Sequence, residues 1–169
     1  LYPMFAKNRR LERRKDILDL LIKKYCFDIN LVKDYTDFEN KEQFLEGTGS
    51  MIFDRENKIC YATISARTNK KLFLKFCSDF GYNPVIFEAK QNNEGKRLPI
   101  YHTNVMMSIG DDFALVCFES INDKNEKILV KESLEKSGRK IVEITLSQVD
   151  SFAGNLIPVS YTHLTLPTS

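Results

Sequence analysis

The chain lacks the features that mark membrane and nucleic-acid-binding proteins. No apolar run is long enough to span a bilayer, and the start "LYPMFAKNRR" places its charge after a short apolar stretch, the reverse of a secretory leader. A net charge of +2 gives no general reason to expect nucleic acid as a partner. With 43% hydrophobic and 28% charged residues, the composition is that of a globular domain. We therefore expect a cytoplasmic protein with no membrane or nucleic-acid partner.

Cysteine and histidine are scarce, and their spacing does not favour a metal site. The two histidines are His102 and His163, and neither stands at ligand spacing from a cysteine. The four cysteines have no CxxC spacing and stand among apolar neighbours: Cys26, Cys60, Cys77 and Cys117. We expect four buried thiols in a reducing compartment, no metal and no cofactor. A nucleophilic cysteine among them is disfavoured, since a reactive thiolate needs an exposed, electropositive pocket.

Apolar periodicity predicts an α/β chain. The N-terminal part is interpreted as a strand over 1–6, an amphipathic helix over 9–25 and a strand over 27–34. A hairpin over 50–64, with its turn at 55–58, then precedes a helix that ends at Gly81.

The same order of elements then returns. A strand over 83–90 closes the first unit, and a polar stretch over 91–99 is predicted to be a loop. A second hairpin over 103–121, a helix that ends at Gly138 and a strand over 139–146 follow. The hairpins start roughly fifty residues apart, a spacing typical of repeat architectures. The pattern predicts an α/β protein built from repeated ββαβ units.

Two stretches with chemical potential stand at matching places in the two units. Glu46, in "LEGTGS", precedes the first hairpin, and His102, in "YHTN", precedes the second. If the units surround an axis, equivalent positions converge on it. A carboxylate beside an imidazole would form a general acid–base pair. Taken singly, Glu46 is more often a solvated loop charge and His102 a structural histidine.

Several motifs resemble the guanidine-group-modifying superfamily, which has the pentein fold. They are "YPMFAKNRRLERR", "EGTGSMIFDRENKICYATISARTN" and "YHTNVMM". The superfamily includes arginine deiminases, dimethylarginine hydrolases and amidinotransferases, and the similarity is greatest to bacterial citrulline-utilisation hydrolase-like proteins. The resemblance implies a partial α/β propeller with about half to two-thirds of the five repeats, truncated at both ends.

The resemblance also implies roles for individual residues. Its catalytic histidine corresponds to His102, and the carboxylate that orients this histidine corresponds to Glu46. Arg67 of "RTN" would bind a substrate carboxylate, and Arg9 or Arg10 would also reach the substrate. The superfamily's nucleophile is a cysteine in a glycine-rich segment, which this chain does not contain.

One departure bears on the substrate. Arginine deiminases carry an aspartate two residues after the histidine, where this chain has Asn104. An amide can both donate and accept, which suits a neutral ureido group better than a guanidinium. The implied substrate is a small amino acid of the citrulline or arginine kind.

The last ten residues do not continue the resemblance. We expect a partial pentein domain over 1–159 and a non-native tail over 160–169 that includes His163. The predicted function is that of a fragment of a thiol-dependent hydrolase acting on C–N bonds, inactive because the nucleophile is missing; amidino transfer stays open. The alternative is a non-catalytic pentein that acts as a binding module, as in ribosome anti-association factors. The residues leave the oligomeric state open.

Overall fold

The computed structural model describes residues 1–14, 16–29, 33–93, 95–160 and 163–165, which form a mixed α/β fold. Among these residues the sheets stay separate and do not close into a barrel. Each sheet is short, and the loops between sheets carry the residues of interest.

The N-terminal segment differs from its prediction. Residues 1–6 form no strand, because the segment bonds to loops by single contacts, such as Leu45 N–H to the Pro3 carbonyl at 3.1 Å, instead of by a ladder. The predicted helix over 9–25 is divided into a 3-10 helix, Lys7–Glu12, and helix α1, Asp16–Lys23. Arg13 between them is extended, and its guanidinium reaches Glu39 at 2.9 Å.

The strand predicted over 27–34 lies partly outside the described residues. Residues 27–29 and 33–34 form no strand, and residues 30–32 are not described. A second 3-10 helix, Thr36–Lys41, then leads into the loop that carries Glu46.

The first unit has the predicted order of elements. Strands β1, Ile52–Asp54, and β2, Ile59–Thr63, form an antiparallel hairpin. Helix α2, Lys70–Phe80, begins after Asn69, whose side chain accepts the Leu72 N–H at 3.1 Å. It ends at Gly81, which has a left-handed φ of 68°. Strand β3, Asn83–Phe87, returns parallel to β2.

The stretch predicted as a loop over 91–99 is instead a hairpin. Strands β4, Lys90–Asn93, and β5, Lys96–Pro99, pair antiparallel, with Lys90 opposite Pro99. All of β5 is exposed. An exposed ladder needs no apolar alternation, so its sequence carries no strand signal.

The second unit has the same strand order as the first. Strand β6, Met107–Ile109, pairs antiparallel with β7, Phe113–Val116. Helix α3, Lys124–Lys136, is capped by Asp123, and β8, Lys140–Glu143, runs parallel to β7.

The C-terminal part contains elements that the patterns did not predict. Thr145 and Gln148 form a capping box that starts helix α4, Leu146–Asp150, so the predicted strand over 139–146 ends early. Strands β9, Ile157–Ser160, and β10, His163–Thr165, pair antiparallel.

The first sheet lies between two hydrophobic cores. On β2, Cys60 and Ala62 face the core that contains α2, while Tyr61 faces the core that contains α3. This alternation is the period-2 burial of a strand covered on both faces. Three cysteines are buried as predicted, but the prediction for Cys26 is wrong, because it lies exposed with a φ of 52° in the loop after α1.

A buried ion pair joins the two units. The Arg139 guanidinium, before β8, lies 3.1 Å from the Asp54 carboxylate at the end of β1. Both residues are buried, and Arg139 also donates to the Gly110 carbonyl oxygen at 3.1 Å. The pair fixes the hairpin turns of the two sheets against each other.

Candidate functional site

Glu46 and His102 meet in the structure. The His102 Nε2 lies 2.6 Å from the Glu46 Oε2, although the residues are 56 positions apart. A carboxylate only accepts hydrogen bonds, so Nε2 carries the proton and Nδ1 of the neutral ring is unprotonated. The imidazole is therefore held in one tautomer by a carboxylate, the arrangement of an oriented acid–base histidine.

The Glu46 carboxylate is almost entirely removed from solvent. Its side chain is 1% exposed, and its second oxygen, Oε1, accepts the Phe5 backbone N–H at 2.8 Å. A buried charge is costly unless it is paired and hydrogen-bonded. The N-terminal segment thus provides a partner for Glu46 that no sequence motif predicts.

Two glycines let the neighbouring rings approach the Glu46 loop. A Cβ on Gly49 would lie 3.0 Å from the His102 Nδ1, so a side chain there would press on the imidazole. Gly47 has a left-handed φ of 60° and lies under the Tyr2 ring. The glycines flanking Glu46 therefore allow close packing and a tight turn, in agreement with a loop shaped around the histidine.

Arg67 completes the charged group. Its guanidinium lies 3.7 Å from the Glu46 Oε2 and faces two aromatic rings, Phe5 at 5.8 Å and Tyr101 at 5.1 Å. These cation–π contacts restrict a side chain that is 32% exposed. Arg67 is thus held at the site with part of its guanidinium open to solvent.

These residues line one cavity of about 450 Å³. Arg9, Arg67, His102 and Asn104 all contribute to its wall, together with side chains that sequence reasoning missed: Gln91, Tyr101, Val105, Val149, Asp150, Phe152 and Asn155. Two arginines and the carboxylate of Asp150 line the cavity, and a guanidinium can bind a carboxylate through paired hydrogen bonds.

Asn104 and Asn155 form a contact in the cavity wall. The Asn104 amide nitrogen donates to the Asn155 Oδ1 at 3.4 Å. Gly154 makes this possible, since a Cβ there would lie 2.1 Å from the Val105 carbonyl oxygen. The adjacent glycine and asparagine in "FAGN" are the one sequence signal that could have identified Asn155.

The structure separates the two candidate arginines of the N-terminal segment. Arg9 lines the cavity and pairs with Glu12 at 3.2 Å, with a side chain that is 45% exposed. Arg10 does not line it; instead its Nε lies 3.2 Å from Glu39 and 3.1 Å from the Met4 carbonyl oxygen. Arg10 therefore anchors the N-terminal segment.

The surroundings of His102 lower its pKa below the ordinary 6.5. Burial is the largest cause, and the positive charges of Arg67 and Arg9 add to it, while the hydrogen bond and charge of Glu46 act in the opposite direction. The imidazole is thus predominantly neutral at pH 7 and can accept a proton.

No cysteine lines this cavity, and all four are free thiols. The hydrogen bond with Cys77, together with burial, raises the pKa of the Cys60 thiol, and burial raises the pKa of Cys117. Within the described part of the chain, no group of His, Cys, Asp and Glu is arranged to hold a metal ion. In the same part, no helix has the length and apolar character needed to cross a membrane.

Comparison with protein families gives one match over nearly the whole chain. Residues 1–164 match the family described as N,N dimethylarginine dimethylhydrolase, eukaryotic. No curated protein matches the chain.

Solved structures with the same fold come from ArgZ, an arginine dihydrolase of the ornithine–ammonia cycle in cyanobacteria. The apo structure has a TM-score of 0.61 at 18% identity, over 94% of this chain and 23% of that one. The N-terminal domain with substrate bound gives 0.62 at 17% identity, over 93% and 52%. The same domain has been solved covalently bound to a reaction intermediate, with a TM-score of 0.62 at 17% identity over 93% and 52%. This chain therefore spans about a quarter to a half of these relatives, and the likeness establishes the fold.

Proposed function

The chain belongs to the N,N-dimethylarginine dimethylhydrolase family, within the pentein superfamily of guanidine-modifying proteins, and from this we propose that its cavity is the active site of a C–N bond hydrolase. The observation that carries the proposal is the 2.6 Å contact between the buried Glu46 and His102, whose imidazole lines the cavity together with Arg67. The substrate would be an amino acid with a guanidino or ureido side chain.

We assign His102 the role of general acid and base. Its neutral imidazole can take a proton from an attacking group and return it to the departing amine. Glu46 would hold the tautomer and stabilise the imidazolium that forms in between, since it is buried against Nε2.

Arg67 would bind the substrate carboxylate. Its guanidinium forms a planar fork that matches a carboxylate, and the rings of Phe5 and Tyr101 keep it oriented. Arg9, on the same cavity wall, would add attraction for the anion. Arg10 is not included, because it is engaged with Glu39 and Met4.

Asn104 would contact the reacting group. Its amide nitrogen donates one hydrogen to Asn155, so the second hydrogen and the amide oxygen can form hydrogen bonds with the substrate. This combination can donate to a ureido oxygen and accept from an NH₂ group, so we propose a preference for a citrulline-like substrate.

The nucleophile of the proposed reaction is a thiolate that these 169 residues do not supply at the cavity. Covalent catalysis splits the hydrolysis into two easier steps, and the ArgZ domain has been captured in a covalent intermediate. No cysteine of this chain lines the cavity, so we propose that the intact protein provides the thiol from another segment. In that protein the ββαβ units would belong to a five-bladed propeller, with residues 1–159 as part of it.

The binding-module alternative has less support. A surface that only binds a partner would gain nothing from a fully buried carboxylate held against a histidine, which costs desolvation energy.

The free thiols fit a reducing compartment such as the cytoplasm.

Steady-state kinetics of the intact protein tests the proposal, with citrulline, arginine and N,N-dimethylarginine as substrates. His102→Ala should lower kcat by roughly 10²–10⁴-fold, the usual contribution of general acid–base catalysis. Glu46→Gln should lower kcat less, and Arg67→Ala should act mainly on KM because it contacts a group remote from the reacting carbon.

Two outcomes would contradict the assignment. Full activity of His102→Ala with every substrate would exclude the acid–base role. An unchanged ratio of citrulline to arginine turnover in Asn104→Asp would exclude the ureido preference alone. Arg14→Ala serves as the matched control, because it removes an exposed arginine of the N-terminal segment that does not line the cavity.

A further inference from the structure

Buried hydroxyl groups connect the backbones of the proposed catalytic and binding residues. Ser50 is fully buried, and its Oγ accepts the Glu46 backbone N–H at 2.9 Å and donates to the Arg67 carbonyl oxygen at 3.0 Å. A serine hydroxyl has one proton to donate, and Ser50 donates it to the Arg67 carbonyl oxygen. This small side chain therefore links the loop of Glu46 to the loop of Arg67, beside the isolated bridge between Leu45 and Thr68.

Thr103, next to His102 in the chain, links the histidine's segment to Ser50. Its fully buried Oγ1 donates to the Ser50 carbonyl oxygen at 2.5 Å and accepts the Thr63 backbone N–H at 3.0 Å. The next residue repeats the attachment, since the Asn104 N–H donates to the Gly49 carbonyl oxygen at 3.2 Å. The segment that carries His102 is thus fastened to residues 49 and 50.

These hydrogen bonds hold the segments whose small displacements would weaken the contact between Glu46 and His102. The Glu46–His102 hydrogen bond is short, and hydrogen bonds weaken steeply as their geometry is lost. Removing a buried hydroxyl leaves its backbone partners unsatisfied, which favours movement of the loop. Glu46, Arg67 and His102 lie in three separate connections between the described helices and strands, and a single isolated bridge, Leu45 to Thr68, joins the first two connections.

We propose that Ser50 and Thr103 are positioning residues, whose hydroxyls hold Glu46, His102 and Arg67 in the register needed for catalysis. Neither lines the cavity, so they act through the residues they attach. The inference rests on the proposed function of these three residues, but its test requires no turnover.

Titration of His102 by NMR provides the test in this chain. The sequence has two histidines, so the variant His163→Gln identifies the His102 signals. In Thr103→Val, which keeps the shape of the side chain and removes the hydroxyl, we expect His102 to titrate at lower pH than in the wild type. A looser contact with Glu46 removes the interaction that raises the pKa of His102, and burial, Arg67 and Arg9 still lower it.

Two matched variants separate positioning from general destabilisation. Thr103→Ser keeps the hydroxyl and should titrate as the wild type does. Ser120→Ala removes another buried hydroxyl, one that donates to the Cys117 carbonyl oxygen at 2.6 Å outside the loops of the three site residues, and should also leave the titration unchanged.

Ser50→Ala gives an independent readout. Loss of its hydroxyl removes the acceptor of the Glu46 N–H, so this amide should exchange with solvent on the order of tenfold faster. If Thr103→Val does not fold, Ser50→Ala is titrated in its place. A wild-type titration in the variant that lacks the hydroxyl would overturn the proposal, as would an equal shift in Ser120→Ala.

Failure here and failure of the proposed function are distinguishable. Loss of His102 positioning is seen in the titration whatever the substrate is. Turnover by the intact His102→Ala protein would reject the catalytic role and leave the positioning result in place.

Discussion

At the scale of single residues, His102 is governed by opposing influences. Burial, Arg67 and Arg9 lower its pKa, and Glu46 raises it, with a net pKa below 6.5. Because these groups converge from separate segments, the histidine reports on how well the site is assembled.

The lowered pKa of His102 makes the stability of the fold dependent on pH. The unfolded chain binds the proton at a higher pH than the folded chain does, so the free energy of unfolding falls as the pH decreases below 6.5. Well above pH 6.5, where His102 is neutral in both the folded and the unfolded chain, this loss of stability is absent. We expect His102→Gln to lose less stability than the wild type between pH 7.5 and pH 5.5, as measured by urea unfolding.

His163→Gln is the control for this experiment, since it removes the other histidine. It should retain the wild-type dependence on pH. Equal losses of stability in His102→Gln and the wild type would contradict the prediction.

At the scale of elements, short connections decide the shape of the site. Three connections meet at the site: the Glu46 loop, the turn before α2 that carries Arg67, and the 3-10 turn Thr103–Val105 after His102. Helix α4 leads into a tight turn that brings Asn155 beside Asn104. None of these connections has an apolar period, so their arrangement depends on glycines and buried hydroxyls.

Gly154 is the tightest of these contacts. A Cβ there would lie 2.1 Å from the Val105 carbonyl oxygen and 3.0 Å from the Met106 Cα, both backbone atoms. Gly154→Ala should therefore lower the free energy of unfolding by about 1–3 kcal/mol, the usual cost of overpacking. Denaturant unfolding measures the change.

Ser151→Ala is a suitable comparison, because this neighbour is exposed. It should stay within about 0.5 kcal/mol of the wild type, as surface substitutions usually do. A Gly154→Ala chain as stable as Ser151→Ala would show that the two turns can separate at no cost.

At the scale of the whole molecule, the two ββαβ units are joined through buried groups. The Tyr61 hydroxyl lies 2.9 Å from the Ser133 hydroxyl, so β2 of the first unit contacts α3 of the second. The Arg139–Asp54 pair connects the same units at their hairpin turns. The cavity lies where the loops of both units meet, and its shape depends on their relative position.

Arg139→Met tests this connection. The substitution would leave Asp54 buried with its Asn57 contacts alone, and breaking a buried ion pair costs about 3 kcal/mol at the lower end of the usual range. Urea unfolding should show this loss. The double variant Asp54→Asn with Arg139→Met should recover part of it, because no uncompensated charge remains. A loss equal to the sum of the two single variants would show that the pair does not interact.

Local patterns were sufficient where a buried face repeats along one element. The hairpins at 50–64 and 103–121 and the helices that end near Gly81 and Gly138 agree with the structure, because their apolar residues alternate or recur on a face covered by a core. The β4–β5 hairpin was not predicted, because the hydrogen bonds of an exposed ladder leave no apolar pattern in the sequence. The division of the first helix was not predicted either, because the ion pair between Arg13 and Glu39 leaves no apolar pattern.

Sequence alone also identified Glu46, Arg67, His102 and Asn104 as candidates, through the residue types around them and a resemblance to a family. Their meeting was decided by tertiary structure, because the contact spans 56 positions and depends on partners with no motif of their own. The Phe5 N–H on Glu46 is a backbone group that any residue could supply, and the buried hydroxyls of Ser50 and Thr103 are ordinary in composition. Such groups gain their roles only when folding removes water and leaves each one with partners inside the protein alone.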